Sequence, residues 1–431
     1  MLRSHFSVSR AAIAAGAVAI LSGCHDVAAP FNQELEVAVR PTANRAVTSE
    51  RSAISGQYIV VMKDDTGDAD AFSKKMIGRT RGRLKYTFKS GVRGFAANMS
   101  AEEAALLRND PNVKYIEQDE VVTVGVGKPV SGGGGGKGGK GGKTGTTVSD
   151  SGTFTQASPP SWGLDRVDQQ LIPLSGSYVY SATGAGVNVY IIDSGIRITH
   201  TEFGGRATAD YTVVDDGYGA VGCNWHGSHV AGIIGGATAG VAKQVLLHSV
   251  RVLDCNAAGT VSGTVAGIDW VIANRQAPAV INLSVAAGSS QALIDAVERA
   301  VAAGITVVVA AGNNTADACN YSPANAPSAL TVGATNSGDQ QAFFSNFGSC
   351  VDLMAPGDAI MSVSTSDDTS LQYGSGTSMA APHVSGAAAL YLEKNPAAAP
   401  AVVSSVVLQG ATGGLIGALS AGTPNLLIRT R

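Results

Sequence analysis

Three glycine-flanked segments carry side chains that could do covalent chemistry. They are Ile192-Asp193-Ser194-Gly195, His226-Gly227-Ser228-His229 and Gly376-Thr377-Ser378-Met379-Ala380. A serine hydroxyl is a poor nucleophile near neutral pH. It needs a base within hydrogen-bond reach, and the base needs a carboxylate to fix its tautomer. Asp193 suits the orienting role, His226 the base and Ser378 the nucleophile. Acyl transfer also needs donors for the developing oxyanion, and Ser378 at a helix start offers its own N–H. Asn313, in Ala310-Ala311-Gly312-Asn313, follows an apolar run and would supply a side-chain amide. Alone, an asparagine after a strand is usually a turn former; here it completes a set. The order Asp…His…Ser also matters, because unrelated serine hydrolases order the same groups differently. His229 suggests a metal pair with His226, but no third ligand has suitable spacing and there is no H-E-x-x-H motif. His229 and His383 therefore read as structural.

The elements that must hold these groups alternate from Trp162 onward. Residues 187–193, 245–253, 280–283, 305–310 and 329–334 are strand-like runs. Helical patterns fall near 261–274, 290–303, 378–393 and 399–408. Near-continuous apolar strands separated by helices imply an α/β fold, a mostly parallel twisted sheet with helices on both faces. Ligands of such sheets bind beyond the C-terminal strand ends. Asp193 ends a strand, and His226 and Ser378 start helices, so all three fall on that side.

Upstream, residues 56–124 read β-α-β-β-α-β, a small ferredoxin-like α+β domain. Ser100 and Glu103 form a capping box for its second helix. Residues 125–152, with glycines 132–136 and Lys137, Lys140 and Lys143, are expected to be a flexible linker rather than a polyanion site. The enzyme domain is expected to span 153–431. Residues 25–55 read as a spacer.

Net charge is −3 over 431 residues and charged residues make up 15%. That balance gives no footprint for nucleic acid. Arg3 and Arg10 precede a short apolar stretch, as in an export signal over residues 1–24. It ends in Leu21-Ser22-Gly23-Cys24, which looks like a bacterial lipobox with Cys24 as the lipidated residue. A lipid on Cys24 would be the one expected link to a membrane. Export places the other four cysteines in an oxidising context, where they allow three pairings.

The motifs resemble those of the subtilase family, in its proteinase K-like branch. Those that carry the likeness are Trp162-Gly163-Leu164-Asp165, Asp193-Ser194-Gly195, His226-Gly227-Ser228-His229-Val230-Ala231-Gly232, Ala311-Gly312-Asn313-Asn314, Phe344-Ser345-Asn346 and Gly376-Thr377-Ser378-Met379-Ala380-Ala381-Pro382-His383. The resemblance implies Asp193, His226 and Ser378 as triad, with Asn313 as oxyanion donor. It implies an exported serine endopeptidase, monomeric and made as a zymogen. Residues 56–124 would be its folding aid and intramolecular inhibitor. Polypeptide substrates would pair as an added strand with residues 283–288 and 255–259. Ser284, Val285, Ala286, Ala310 and Gly312 would border the pocket before the cut, with a hydrophobic or aromatic preference. Structural calcium is implied at two sites: Asp352 with the carbonyls of Pro327 and Ala329, and Asp165 with Asp168 and Gln169. The expected disulfides are Cys223–Cys255 and Cys319–Cys350, whose spacings match the bacterial branch. Ser228, Ala381 and the pair Ala286-Ala287 depart from the usual residues, and the last pair could narrow the pocket or shift the paired strand. The linker is a further departure, with a first cut expected near 124–126 and trimming toward Phe154-Thr155. The other reading, a silent peptide-binding module of the same fold, expects a lost triad member, and none is lost.

Overall fold

The computed structural model describes residues 53–124, 145–149 and 152–430. The export signal, Cys24 and most of the spacer and linker lie outside them.

The first module contains β1 (Ala53–Met62), α1 (Ala69–Ile77), β2 (Arg83–Phe88), β3 (Gly94–Asn98), α2 (Ala101–Arg108) and β4 (Val113–Thr123). Its strands lie in the order β4-β1-β3-β2, all neighbours antiparallel, as the sequence pattern predicts. The capping box forms: Ser100 Oγ accepts from Glu103 N (3.2 Å) and Glu103 answers to Ser100 N (2.8 Å). Alternating strand residues serve two cores. Val60, Met62, Phe95 and Ala97 pack under the helices with Phe72, Met76 and Leu107. Ile59, Val61, Phe88 and Ala96 join a cluster that belongs mainly to the second module. The strand starts at Ala53, ahead of the expected boundary at 56. Ala53 pairs with Glu120 across an irregular register, and its Ser-Gly context hides the strand from periodicity.

The second module begins inside the expected linker. Strand β5 (Thr146–Val148) pairs antiparallel with β6 (Phe154–Ala157), which pairs with β7 (Ser177–Tyr180). The 154–155 bond thus lies in the middle strand of a three-stranded sheet, not in a free tether. Phe154, Tyr180 and Tyr178 stack there with successive centroids 5.0 Å apart.

The short helix α3 (Trp162–Arg166) lies between β6 and β7 in the chain. The main sheet and its cover then use β8 (Asn188–Asp193), β9 (Ala207–Thr212), α4 (His226–Gly235), β10 (Leu246–Arg251), β11 (Ala258–Thr260), α5 (Val261–Asn274), β12 (Ala279–Leu283), α6 (Gln291–Ala302), β13 (Thr306–Ala310), β14 (Leu330–Thr335) and β15 (Leu353–Pro356). They continue with the hairpin β16 (Ile360–Val363) and β17 (Leu371–Gly374), α7 (Thr377–Lys394), α8 (Pro400–Gly410), β18 (Thr412–Gly413) and β19 (Leu426–Leu427). The sheet order is β18-β19-β15-β14-β13-β12-β8-β10-β9. All its pairings are parallel except β18 with β19. The central strands β8, β12, β13 and β14 are buried throughout, which is why they read as unbroken apolar runs. One core lies between the sheet and α4 and α7, the other between the sheet and α5 and α6. Both expected disulfides, Cys223–Cys255 and Cys319–Cys350, are formed. Among the described residues no helix is long and apolar enough to cross a membrane.

Candidate active site

Asp193 is the last residue of β8, and His226 is the first of α4. The turn after β8 is held by Gly195, whose φ of +103° suits glycine and where a Cβ would meet Val221 O at 2.6 Å. His226 Nδ1 lies 2.9 and 3.0 Å from the two oxygens of Asp193. Ser194 N donates to Asp193 Oδ1 (2.7 Å) and fixes the carboxylate plane. Both side chains are buried, at 0% and 2% exposure, so little water screens the pair.

Ser378 is the second residue of α7. The helix opens at Gly376, with φ +154°, whose lack of a side chain leaves the first turn to partners outside the cap, and Asn313 Oδ1 takes the N–H of Thr377. Ser378 Oγ donates to the carbonyl of Ser284 (3.1 Å), and Ser284 Oγ donates to the carbonyl of Ser378 (3.1 Å). Behind them runs a buried chain that the sequence did not reveal. Ser385 Oγ donates to Asn282 Oδ1 (2.8 Å), and Asn282 Nδ2 donates to Ser284 Oγ (2.9 Å). These residues are apolar-strand and small-helix positions in the sequence, and only the fold brings them together.

Asn313 follows β13 and meets Thr377. Its Oδ1 accepts from Thr377 N (2.8 Å) and Thr377 Oγ1 (3.0 Å). An N–H can meet only an acceptor, so the carboxamide has one orientation, with its NH2 end as the free donor. Thr377 Oγ1 also accepts from Gly312 N (3.1 Å). Gly312 has φ +102°, and a Cβ there would lie 2.4 Å from Asn346 Nδ2. Thr377 is thus the residue that ties the Asn313 turn to α7, a role its place beside Ser378 only hints at.

His229 and His383 are fully buried and neutral. Burial pushes His229 down to about 3 and His383 to about 4. Their ring nitrogens meet backbone carbonyls, of Gln372 (3.1 Å) and Met379 (2.9 Å), in keeping with structural roles.

Strand β4 of the first module lies in this cleft. Thr123 pairs on one side with Ala286, N to O at 3.1 Å and O to N at 3.0 Å. On its other side, residues 121–123 pair antiparallel with β11, and Val124 N donates to Ala257 O (3.4 Å). Strand β4 thus pairs with both segments, 283–288 and 255–259. Val122 and Val124 point the same way and are buried with Leu253, Val261, Leu283, Val285 and Ala287. The methyls at 286 and 287 do not displace the paired strand. Ala287 faces inward at 6% exposure and exchanges backbone hydrogen bonds with Ser322. At Gly288 a Cβ would lie 2.6 Å from Glu120 Oε2, the far end of a flexible side chain.

Upstream of the cleft, acidic side chains of β4 meet two helix starts. Glu117 accepts from Ser290 Oγ (2.5 Å), Gln291 N (3.1 Å) and Ala292 N (3.2 Å) at α6. Asp119 accepts from Ser262 N (2.9 Å) and Ser262 Oγ (2.5 Å) at α5. These donors are the unpaired N–H groups of a helix end. Burial nevertheless outweighs the hydrogen bonds, and Glu117 is pushed up to about 7. In the reverse sense, Asp269 of α5 accepts from Lys89 N (2.9 Å), Ser90 N (2.6 Å) and Gly91 N (2.6 Å) of the first module.

The side chains expected to bind calcium are held by hydrogen bonds in their turns. Asp352 accepts from Thr331 N (2.7 Å), next to the turn that holds Pro327 and Ala329, and burial raises its carboxyl above the usual range. Asp165 and Gln169 both meet Ser175, and Asp168 accepts from Val179 N (2.6 Å). The chemistry of both donor sets suits a hard cation.

The parallel sheet, with these side chains at its C-terminal edge and a ferredoxin-like module laid across the cleft, defines a serine hydrolase held with its inhibitor. Comparison with known proteins agrees. The subtilase family matches residues 184–424, and peptidase inhibitor I9 matches residues 57–124. The chain is 44% identical over 398 residues to an extracellular serine proteinase of Thermus sp. (strain Rt41A), covering 88% of this chain and 90% of that one. It is 42% identical over 374 residues to alkaline serine exoprotease A of Vibrio alginolyticus, covering 84% of this chain and 65% of that longer protein. The crystal structure of a cold adapted subtilisin-like serine proteinase is 46% identical, with a TM-score of 0.61. It spans 63% of this chain and 98% of its own. The chain belongs to the subtilase family of serine peptidases and carries an I9 propeptide.

Proposed function

We propose that the protein is an exported zymogen whose mature form cuts polypeptides through Asp193, His226 and Ser378. The observation that carries this reading is the pairing of Asp193 and His226 at 2.9 Å at the same sheet edge as Ser378. In the propeptide-bound state the Ser378 hydroxyl rests on Ser284 O. Rotation about its Cα–Cβ bond turns it toward the imidazole, which takes the proton as Oγ attacks the substrate carbonyl. Asp193 stabilises the imidazolium. The Asn313 NH2 and a first-turn N–H of α7 receive the oxyanion. The imidazolium then protonates the leaving amine. Water, deprotonated by the same base, releases the acyl group. Casein clearing should vanish in Ser378→Ala, while the variant keeps its thermal transition; clearing that persists overturns the assignment.

Substrates lie as β4 does, with apolar side chains in the pockets of Val122 and Val124 and a hydrophobic residue before the cut, beside Ser284, Ala310 and Gly312. The antiparallel register also supports a cut site. Thr123 faces Ala286, two residues after Ser284, whose carbonyl holds Ser378 Oγ. The first cut is therefore expected close after the paired strand, near 124–126, where the residues past Val124 lie outside the described set. Trimming is then expected to stop before Gly145, because β5 is paired into the sheet of β6 and β7. The domains follow as signal (1–24), spacer, propeptide to 124, tether, and an enzyme starting with β5.

Calcium would be held by Asp352 with the carbonyls of Pro327 and Ala329, and by Asp165, Asp168 and Gln169. Bound there, the ion supplies positive charge to buried carboxylates and stiffens the loops. Chelation should lower the melting temperature by several degrees, with calcium and not magnesium restoring it. An unchanged transition counts against both sites. Secretion follows from the export signal. Lipidation at Cys24 rests on the sequence alone, and fatty-acid labelling of the precursor checks it.

A further inference from the structure

Helix α4 begins with His226, yet its cap position is filled by Trp225, which is itself helical and makes no side-chain cap. The first N–H is met from one residue further back. Asn224 Oδ1 accepts from His226 N (3.0 Å), while Asn224 Nδ2 donates to the carbonyl of Cys255 (3.0 Å). The two contacts fix the carboxamide, because one partner can only donate and the other only accept. Cys255 leads into the strand on which a peptide lies. Two residues on, Ala257 O takes the N–H of Val124, and Ala258 pairs with Thr123. The Asn224 carbonyl lies 3.5 Å from Ser194 Oγ, a hydroxyl that also accepts from Gly227 N (3.0 Å). Ser194 is the residue whose N–H holds Asp193. One asparagine therefore touches the turn of the carboxylate, the helix of the imidazole and the strand of the substrate.

We infer that Asn224 is a positioning residue that sets the imidazole of His226 against the substrate strand at β11. The inference rests on the reading of His226 as base. Its two hydrogen bonds divide the labour. The one to His226 N orients the base, and the one to Cys255 O holds the strand. The disulfide Cys223–Cys255 joins the same two segments, so loss of the carboxamide leaves the loop tied down and the fold testable.

The experiment compares mature wild type, Asn224→Ala and Asn224→Asp on an extended peptide amide and on a single-residue ester too short to reach β11. Asn224→Ala should lower kcat about tenfold on both substrates and raise KM several-fold on the peptide alone. Asn224→Asp keeps the acceptor for His226 N but loses the donor to Cys255 O. It should show the same rise in peptide KM with a smaller loss of kcat. Two results overturn the inference. One is kcat and KM within about twofold of wild type in Asn224→Ala. The other is an equal loss in both variants on both substrates that follows a fall in melting temperature. A His226→Ala enzyme that still hydrolyses the ester sinks the underlying reading instead, and separates the two failures.

Discussion

At its upstream end, β4 holds the enzyme through side chains that few other peptides carry in the same places. Glu117 sits on the start of α6 and Asp119 on the start of α5, each with both a serine hydroxyl and a backbone N–H. At its downstream end, the same strand is held mostly by backbone. Thr123 pairs with Ala286 and with β11, and the side chains that enter pockets are valines. The first contact recognises one particular partner. The second uses backbone contacts that any extended chain can make, together with two valines. The two kinds of contact lie within a few residues of one strand.

The contrast predicts unequal effects. The double variant Glu117→Ala with Asp119→Ala, tested as a separate propeptide at pH 6, should inhibit the mature enzyme about 10- to 100-fold less well. Hydrolysis of a short peptide by the enzyme should not change. Inhibition constants that match wild type would mean that the helix starts contribute nothing to recognition.

A pH effect of smaller size follows from Glu117. Its ordinary value of 4.5 is raised to about 7 in the complex, so the complex binds the proton more tightly than the free propeptide does. Its contribution to binding is fully present below the free value and is lost as pH rises through about 7. Inhibition by the wild-type propeptide should therefore weaken between pH 5 and pH 8, and Glu117→Gln should flatten that slope. A wild-type affinity that rises with pH would reverse the sign and contradict the buried carboxylate.

The smallest effect is expected at Thr123. Its backbone does the pairing, so Thr123→Ala should alter the inhibition constant less than about threefold. A loss as large as that of the acidic pair would erase the distinction between the two ends.

Much of this arrangement was legible in the sequence, for physical reasons. Buried parallel strands such as 188–193 and 306–310 must be apolar on both faces, so they stand out. Asp193, His226 and Ser378 lie in turns whose glycines leave a strong pattern. The hidden parts are those that depend on pairing between distant segments. Three residues, Thr146 to Val148, become a strand only because β6 offers an edge. Asn282 and Ser385 meet through the core. Asn224 reads as an ordinary loop residue until Cys255 is brought beside it. Ala286 likewise shows its part only through pairing, because its N–H and carbonyl both meet Thr123.

Strand β4 enters the cleft in the register proposed for a substrate, and the first cut is expected just past its end. The most direct measurement is mass spectrometry with N-terminal sequencing of the purified precursor during its first minutes of maturation. The expected result is a first enzyme fragment that begins within residues 125–127, and a Ser378→Ala precursor that stays intact there. A first cut elsewhere in the tether, or the same cut in the purified Ser378→Ala protein, would contradict it.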